Sequence, residues 1–147
     1  MAHRRTNGAA PWRKLVILLD SNVPLDVVTQ DPTWSRWSAS TMKSLARSHD
    51  LLINPIVYAE LSITFTSIAE LEVNIRRMRL KMIETPREAA FLAGKAFLQY
   101  KKLGGTKTNV LPDFFVGAHA FTIGATLLTR DANRYRTYFP SVTLITP

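Results

Sequence analysis

Cysteine is absent from this 147-residue chain. Disulfides, thiolate nucleophiles and thiolate metal sites are therefore excluded. Histidine is scarce: His3, His49 and His119 are scattered and show neither HExxH nor HxH spacing. No apolar run approaches the roughly 20 residues of a membrane helix. The opening MAHRRTNGAAPWRK is basic but leads into only five apolar residues, 15–19. That is too short for a secretory apolar region, so a cytoplasmic location and no membrane partner are expected. Acidic residues are few as well: 11 Asp and Glu stand against 19 Lys and Arg, a formal charge of +8. Such a surplus favours nucleic acid or an acidic protein as partner.

What is present suits one globular domain. Hydrophobic residues make up 46%, and the length suffices to bury a core. Residues 1–14 read as a basic arm or an extension, and 15–147 as a single domain. The run LVILL ending at Asp20 reads as a buried parallel strand. Residues 23–29 and 34–48 read as helices parted by the Asp31-Pro32 turn. Residues 51–53 are a second strand. Asn54 and Pro55 then suit the cap and first position of a helix. Ser67 and Glu70 form a candidate capping box. Behind them Ile68, Leu71, Ile75, Met78 and Met82 repeat at helical spacing. Thr85-Pro86-Arg87-Glu88 is a second candidate box. It opens a helix with its stripe on Ala89, Leu92, Ala96, Tyr100 and Leu103, stopped by Gly104-Gly105. Pro112 starts another helix. Residues 125–128 and 142–146 are the last strands. Strands alternating with helices imply an α/β fold with a mainly parallel sheet covered on both faces.

Four acids stand apart from the rest: Asp20 in LVILLDSNV, Glu60 in NPIVYAELS, Asp113 in LPDFFVGAHA and Asp131 in LLTRDANRY. Each lies near a strand end or a helix start. Ligands of open α/β sheets bind just beyond the carboxyl ends of the strands. Carboxylates gathered there repel one another unless a cation joins them. Magnesium and manganese prefer oxygen ligands, and such ions activate water for phosphodiester cleavage. Taken singly, each acid also has a structural reading as a helix cap, a first-turn anion or a solvent-facing side chain. Asn22 and Thr129 are candidates to hydrogen-bond this group.

In that order and spacing, the four segments resemble the acidic motifs of the PIN-domain nucleases. DSNVPLDV and PDFFVGAHA carry the resemblance most specifically. Within the superfamily the chain is most similar to VapC toxins of toxin–antitoxin modules, over residues 15–146. The resemblance implies a PIN-like three-layer α/β/α fold and a Mg2+- or Mn2+-dependent endoribonuclease cleaving structured RNA. It places metal-site roles on Asp20, Glu60, Asp113 and Asp131, and implies a VapB-type antitoxin and a homodimer. Pro24 departs from the aliphatic residue of many relatives but suits an early helical position. The basic leader is longer than is usual in the family.

Other groups receive less weight. Asp26 is expected on a helix surface, pointing away from Asp20, and His119 as a packed histidine. Arg130 and Arg134 flank Asp131, and with Lys107 they are the expected RNA contacts. Arg76, Arg77, Arg79 and Lys81 form the densest basic cluster. Trp34 and Trp37 are expected in the core or at a dimer contact. An antitoxin groove is expected beside Glu60, between helices 34–48 and 68–78, with Leu45, Leu61, Ile63 and Phe65 as anchors. Two other classes compete. A dehalogenase-type phosphatase needs Asp-x-Asp after the first strand, and the chain has Asp20-Ser21-Asn22. A receiver needs a middle-strand phosphoacceptor and a late lysine, and neither is evident. A PIN-like binding module without catalysis is the third reading.

Overall fold

The computed structural model describes residues 15–147. The basic arm expected over 1–14 lies outside the described residues. The first strand, β1 (Val16–Leu19), is followed by helices α1 (Asn22–Val28) and α2 (Ser35–Ala46). Next come β2 (Asp50–Ile53), α3 (Pro55–Ser62), α4 (Ile68–Arg77) and β3 (Leu80–Met82). The chain continues through α5 (Arg87–Lys102), α6 (Leu111–Ile123), β4 (Thr126–Leu128), α7 (Asn133–Tyr138) and β5 (Leu144–Ile145).

The strands form one sheet in the order β3-β2-β1-β4-β5, and every pairing is parallel. The central strands are buried throughout their inner residues, with Ile17, Leu18, Leu19, Leu51, Ile53, Leu127 and Leu128 in the core. Strands buried on both faces require helices on both faces. This is the expected α/β arrangement, a parallel sheet covered on both faces. The chain steps outward from β1 to β3, then crosses back to β4 on the other side of β1. That reversal creates a crevice at the carboxyl ends of β1 and β4. It also removes the receiver reading, since a flavodoxin-like sheet runs 2-1-3-4-5.

Local chemistry explains most of the elements. The Asn54 side chain accepts from the Val57 N–H and caps α3, with Pro55 in its first turn. Ser67 caps α4 through the Glu70 N–H. The reciprocal half of the expected box differs, because the Glu70 carboxylate accepts from the Thr66 N–H and hydroxyl instead. Gly124 ends α6 in the left-handed conformation, at φ 66°, where glycine has no Cβ penalty.

Three expectations are corrected. The helical stripe running on to Met82 stops at Arg77, since Arg79 is left-handed at φ 56°. Leu80–Met82 then pairs with β2 as an edge strand, burying Leu80 and exposing Met82. Backbone pairing to a free sheet edge overrides the side-chain period there. The Thr85 box does not form: Pro86 occupies the cap position in extended conformation, so Thr85 lies one residue too far out. Its hydroxyl is buried with no partner. On α5 the buried residues are Ala89, Ala93 and Ala96, whereas Leu103 is exposed.

Candidate active site

Asp20 follows β1 directly, and its N–H donates to the Leu128 carbonyl of β4 at 2.9 Å. The backbone ladder thus pins it at the crevice between the two strands. The side chain is only 5% exposed. Its Oδ1 accepts from the Ser21 N–H at 2.8 Å. Its Oδ2 accepts from the Thr129 hydroxyl at 2.9 Å and the Tyr135 hydroxyl at 2.8 Å. Asn22 Nδ2 approaches the same oxygen at 3.5 Å. Burial pushes the Asp20 carboxyl up to about 6; Asp113 adds to the rise, the Tyr135 and Thr129 hydroxyls oppose it, and Glu60 raises it further.

The other acids reach the same edge by different routes. Glu60 rides on α3, which starts just beyond β2, and it is half-buried. Burial raises its pKa, the Ser21 side chain lowers it and Asp113 raises it. Asp113 lies in the first turn of α6. That helix ends two residues before β4 begins, so it runs antiparallel to the strand and its start lies at the carboxyl edge. Burial raises the Asp113 pKa, Arg134 opposes the rise through a hydrogen bond and its charge, and Asp131 adds to it. Asp131 is exposed and stands at the rim. Its N–H donates to Thr129 Oγ1 at 3.1 Å. Asp20, Glu60 and Asp113 are therefore mutually coupled, while Asp131 couples to Asp113.

Hard oxygen donors dominate this corner, which suits a magnesium- or manganese-like ion. Among the described residues, no three His, Asp or Glu side chains stand close enough together to grip an ion by themselves. Magnesium does not demand such a cage: one or two carboxylates with waters and substrate phosphate suffice. A cation already fits here, because the Arg134 guanidinium pairs with Asp113 Oδ2. The oxygen donors match a hard divalent cation in chemistry, with waters and phosphate completing its shell.

The basic residues divide. Arg134 lies over the Tyr100 ring, 5.9 Å from its centroid, and pairs with Asp113. Lys107 is exposed and near enough to Asp113 to lower its pKa. Arg130, expected among the RNA contacts, is paired within the protein. Its Nε and Nη2 each donate to Asp26 at 2.9 Å, and its Cζ lies 5.5 Å from the Trp34 ring centroid. Asp26 is corrected: it is 3% exposed, not a surface residue, and also accepts from Ser38 at 2.8 Å. Helical period alone pointed Asp26 outward, but α2 packs over that face of α1.

Asn22 lies between the acid and the loop after β4: its Nδ2 is 3.5 Å from Asp20 Oδ2, and its Oδ1 accepts from the Arg130 N–H at 3.2 Å. His119 is fully buried, as expected of a packed histidine. Asn54 spends its Oδ1 on the α3 cap, so its Nδ2 donates to His119 Nδ1 at 3.2 Å. Burial lowers the His119 pKa. Trp37 packs against the core. Tyr135 was not anticipated. The one available signal is its place a turn after Asp131.

A PIN domain family profile matches residues 17–140. Among solved structures, VapBC2 from Rickettsia felis bound to a promoter DNA fragment contains a chain similar at 20% identity and TM-score 0.69. The alignment covers 90% of this chain and 99% of that one. VapBC-1 from nontypeable Haemophilus influenzae matches at 20% identity and TM-score 0.64, covering 90% and 98%. FitAcB from Neisseria gonorrhoeae matches at 20% and 0.62, covering 88% and 96%. At this identity the likeness is one of fold. No curated protein sequence matches significantly.

Proposed function

The chain belongs to the PIN-domain family, and from that premise we propose that it is the toxin of a VapBC-type module, a magnesium- or manganese-dependent endoribonuclease that cuts structured RNA such as tRNA or rRNA. The observation that carries the reading is the placement of Asp20, buried where β1 meets β4 at the sheet's switch point, with Glu60 on α3 and Asp113 in the first turn of α6 close enough to raise its pKa. Three mutually repelling carboxylates in a protein of charge +8 are costly without a cation between them.

Asp20, Asp113 and Glu60 would hold the cation, with Asp131 contributing from the rim. A bound divalent ion supplies an acidified water and stabilises charge on the phosphate. Thr129 and Asn22 orient Asp20. Arg134 and Lys107 face the phosphate backbone, and Arg134 exchanges Asp113 for phosphate oxygens as RNA enters. No protein side chain serves as nucleophile.

The solved relatives are VapBC complexes, which supports a small antitoxin partner and a homodimer. A cavity of about 400 Å³ between α1, α2 and the end of α4 is floored by Val27, Met42 and Met78 and rimmed by Lys43, Arg47, Arg77 and Arg79. It suits an apolar segment carrying acidic residues. Of the expected anchors, Ile63 is freely exposed, Leu45 and Phe65 are partly buried, and Leu61 belongs to the core. An arginine of the partner could occupy the carboxylate corner much as Arg134 does, since its fork matches carboxylate oxygens.

The test is cleavage of RNA by purified protein, with RNA ends mapped in cells after brief induction. Wild type should cut internally, stop in excess EDTA and recover with Mg2+ or Mn2+. Asp20→Asn and Asp113→Asn should each lose at least about 100-fold in rate, ~2.7 kcal/mol, while keeping the fold. Co-expression of a neighbouring small open reading frame should restore growth. Full cleavage by Asp20→Asn protein sinks the mechanism. Metal binding without cleavage points to the inactive binding module.

A further inference from the structure

We propose that Tyr135 is a positioning residue for this centre: with Thr129 it holds Asp20 Oδ2 and reserves Oδ1 for a divalent cation. The proposal rests on the reading of Asp20 as a metal ligand. A carboxylate oxygen offers two in-plane lone-pair directions. Oδ2 receives two good donors, the Tyr135 and Thr129 hydroxyls at 2.8 and 2.9 Å. Oδ1 receives one, the Ser21 N–H at 2.8 Å. One lone-pair direction is thus left, and it belongs to Oδ1.

The donors come from separate parts of the chain. Tyr135 lies on α7, 115 residues from Asp20, and Thr129 follows β4, 109 residues away. Turning the carboxylate to offer Oδ2 instead would break both bonds. Thr129 is itself oriented: its hydroxyl accepts from the Asp131 N–H and donates to the nearer, charged acceptor, Asp20. Space for Tyr135 is built in by Gly117 on α6. A Cβ there would meet Phe139 Cδ2 at 2.4 Å and Tyr135 Cδ1 at 3.1 Å. The missing side chain lets α7 approach α6 and the phenol reach the floor of the crevice. Phenylalanine would fill the same volume, so packing alone does not call for the hydroxyl.

Tyr135→Phe removes one oxygen and keeps the ring, so its circular dichroism should match wild type. Manganese binding is read by calorimetry on RNA-free protein. Affinity should fall about 10–100-fold, the scale of losing a group that orients a metal ligand, and kcat should fall with KM for RNA little changed. A second readout needs no metal. In metal-free protein Tyr135→Phe should lower the melting temperature. In an Asp20→Ala background it should raise it, because the buried hydroxyl has lost its acceptor. Unchanged Mn2+ affinity in Tyr135→Phe, beside a clear loss in Asp20→Asn, overturns the positioning role and leaves the metal site standing. No Mn2+ binding by wild type overturns both. The same melting shift in both backgrounds reduces Tyr135 to a packing residue and also overturns the proposal.

Discussion

Asp20 titrates at about 6 because burial penalises its charge first, and the acids around it add to that penalty. The consequence for stability has a definite sign. Between the ordinary 3.8 and about 6 the folded protein holds a proton that the unfolded chain has released, so stability falls as pH rises through that window. Roughly 3 kcal/mol is at stake once Asp20 is ionised, at about 1.4 kcal/mol per unit. Metal-free protein should therefore melt higher near pH 4 than near pH 7, as far as this residue decides it. Asp20→Asn should flatten the curve and raise the melting temperature at neutral pH. Manganese should stabilise wild type more at pH 7 than at pH 5, since it competes with the proton for the same carboxylate. A flat pH–melting curve for metal-free wild type would show that the carboxylate is not buried among like charges. Asp20 and Asp113 were legible in the sequence because each is set by local grammar, a strand end and a first helical turn. Tyr135 and Asp26 were not, because what defines them is a partner roughly a hundred residues away.

At the level of elements, the Arg130–Asp26 pair clamps the loop after β4 onto α1, while Trp34, at the N-cap of α2, covers the guanidinium. The Arg130 N–H also reaches Asn22. The loop that carries Thr129 and Asp131 is thus fastened to the helix behind Asp20 by side chain and backbone together. Removing Arg130 strands a carboxylate whose side chain is 3% exposed, and removing Asp26 strands a guanidinium that is 28% exposed. Breaking a buried pair costs about 3–5 kcal/mol, and partial exposure of Arg130 brings the expectation to about 2–4. Asp26→Asn or Arg130→Ala should lower the unfolding free energy by that amount, read as a lower urea midpoint at unchanged m-value, contrary to the surface role that helical period assigns to Asp26. A shift under about 0.5 kcal/mol, the usual range for surface changes, would return Asp26 to the surface. The same limit of pattern reading explains β3. Met78 and Met82 continue a helical stripe, yet the backbone turns left-handed at Arg79 and joins β2. Periodicity describes which side chains face a core. It carries no information about a sheet edge that needs a partner. The caps at Asn54 and Ser67 were readable because they depend on residues three apart.

For the whole molecule, the order of strands and helices followed from apolar runs and turn residues, and the parallel sheet followed from their alternation. The crossing between β3 and β4 that makes the crevice was not readable locally, because strand order is a property of all five strands at once. Charge shows the same division. The formal charge of +8 is in the composition, but which cations are free to meet a phosphate backbone depends on which already have partners. Arg130 is neutralised by Asp26, and Lys81 lies 3.1 Å from Asp50. Lys107 is exposed beside Asp113, and Arg134 is paired with that same acid. Each phosphate neutralised by a free cation contributes about 0.7–0.9 to the slope of log affinity against log salt. Binding of RNA to Asp20→Asn protein in Mg2+ should therefore weaken steeply with salt. Lys107→Gln should reduce the slope by about one such contact. The double variant Asp26→Asn with Arg130→Gln removes a charge pair and leaves net charge unaltered, so its slope should match the parent even though its melting temperature falls. If the double variant loses slope as Lys107→Gln does, Arg130 leaves Asp26 to bind phosphate in the complex, and the clamp must open when RNA binds.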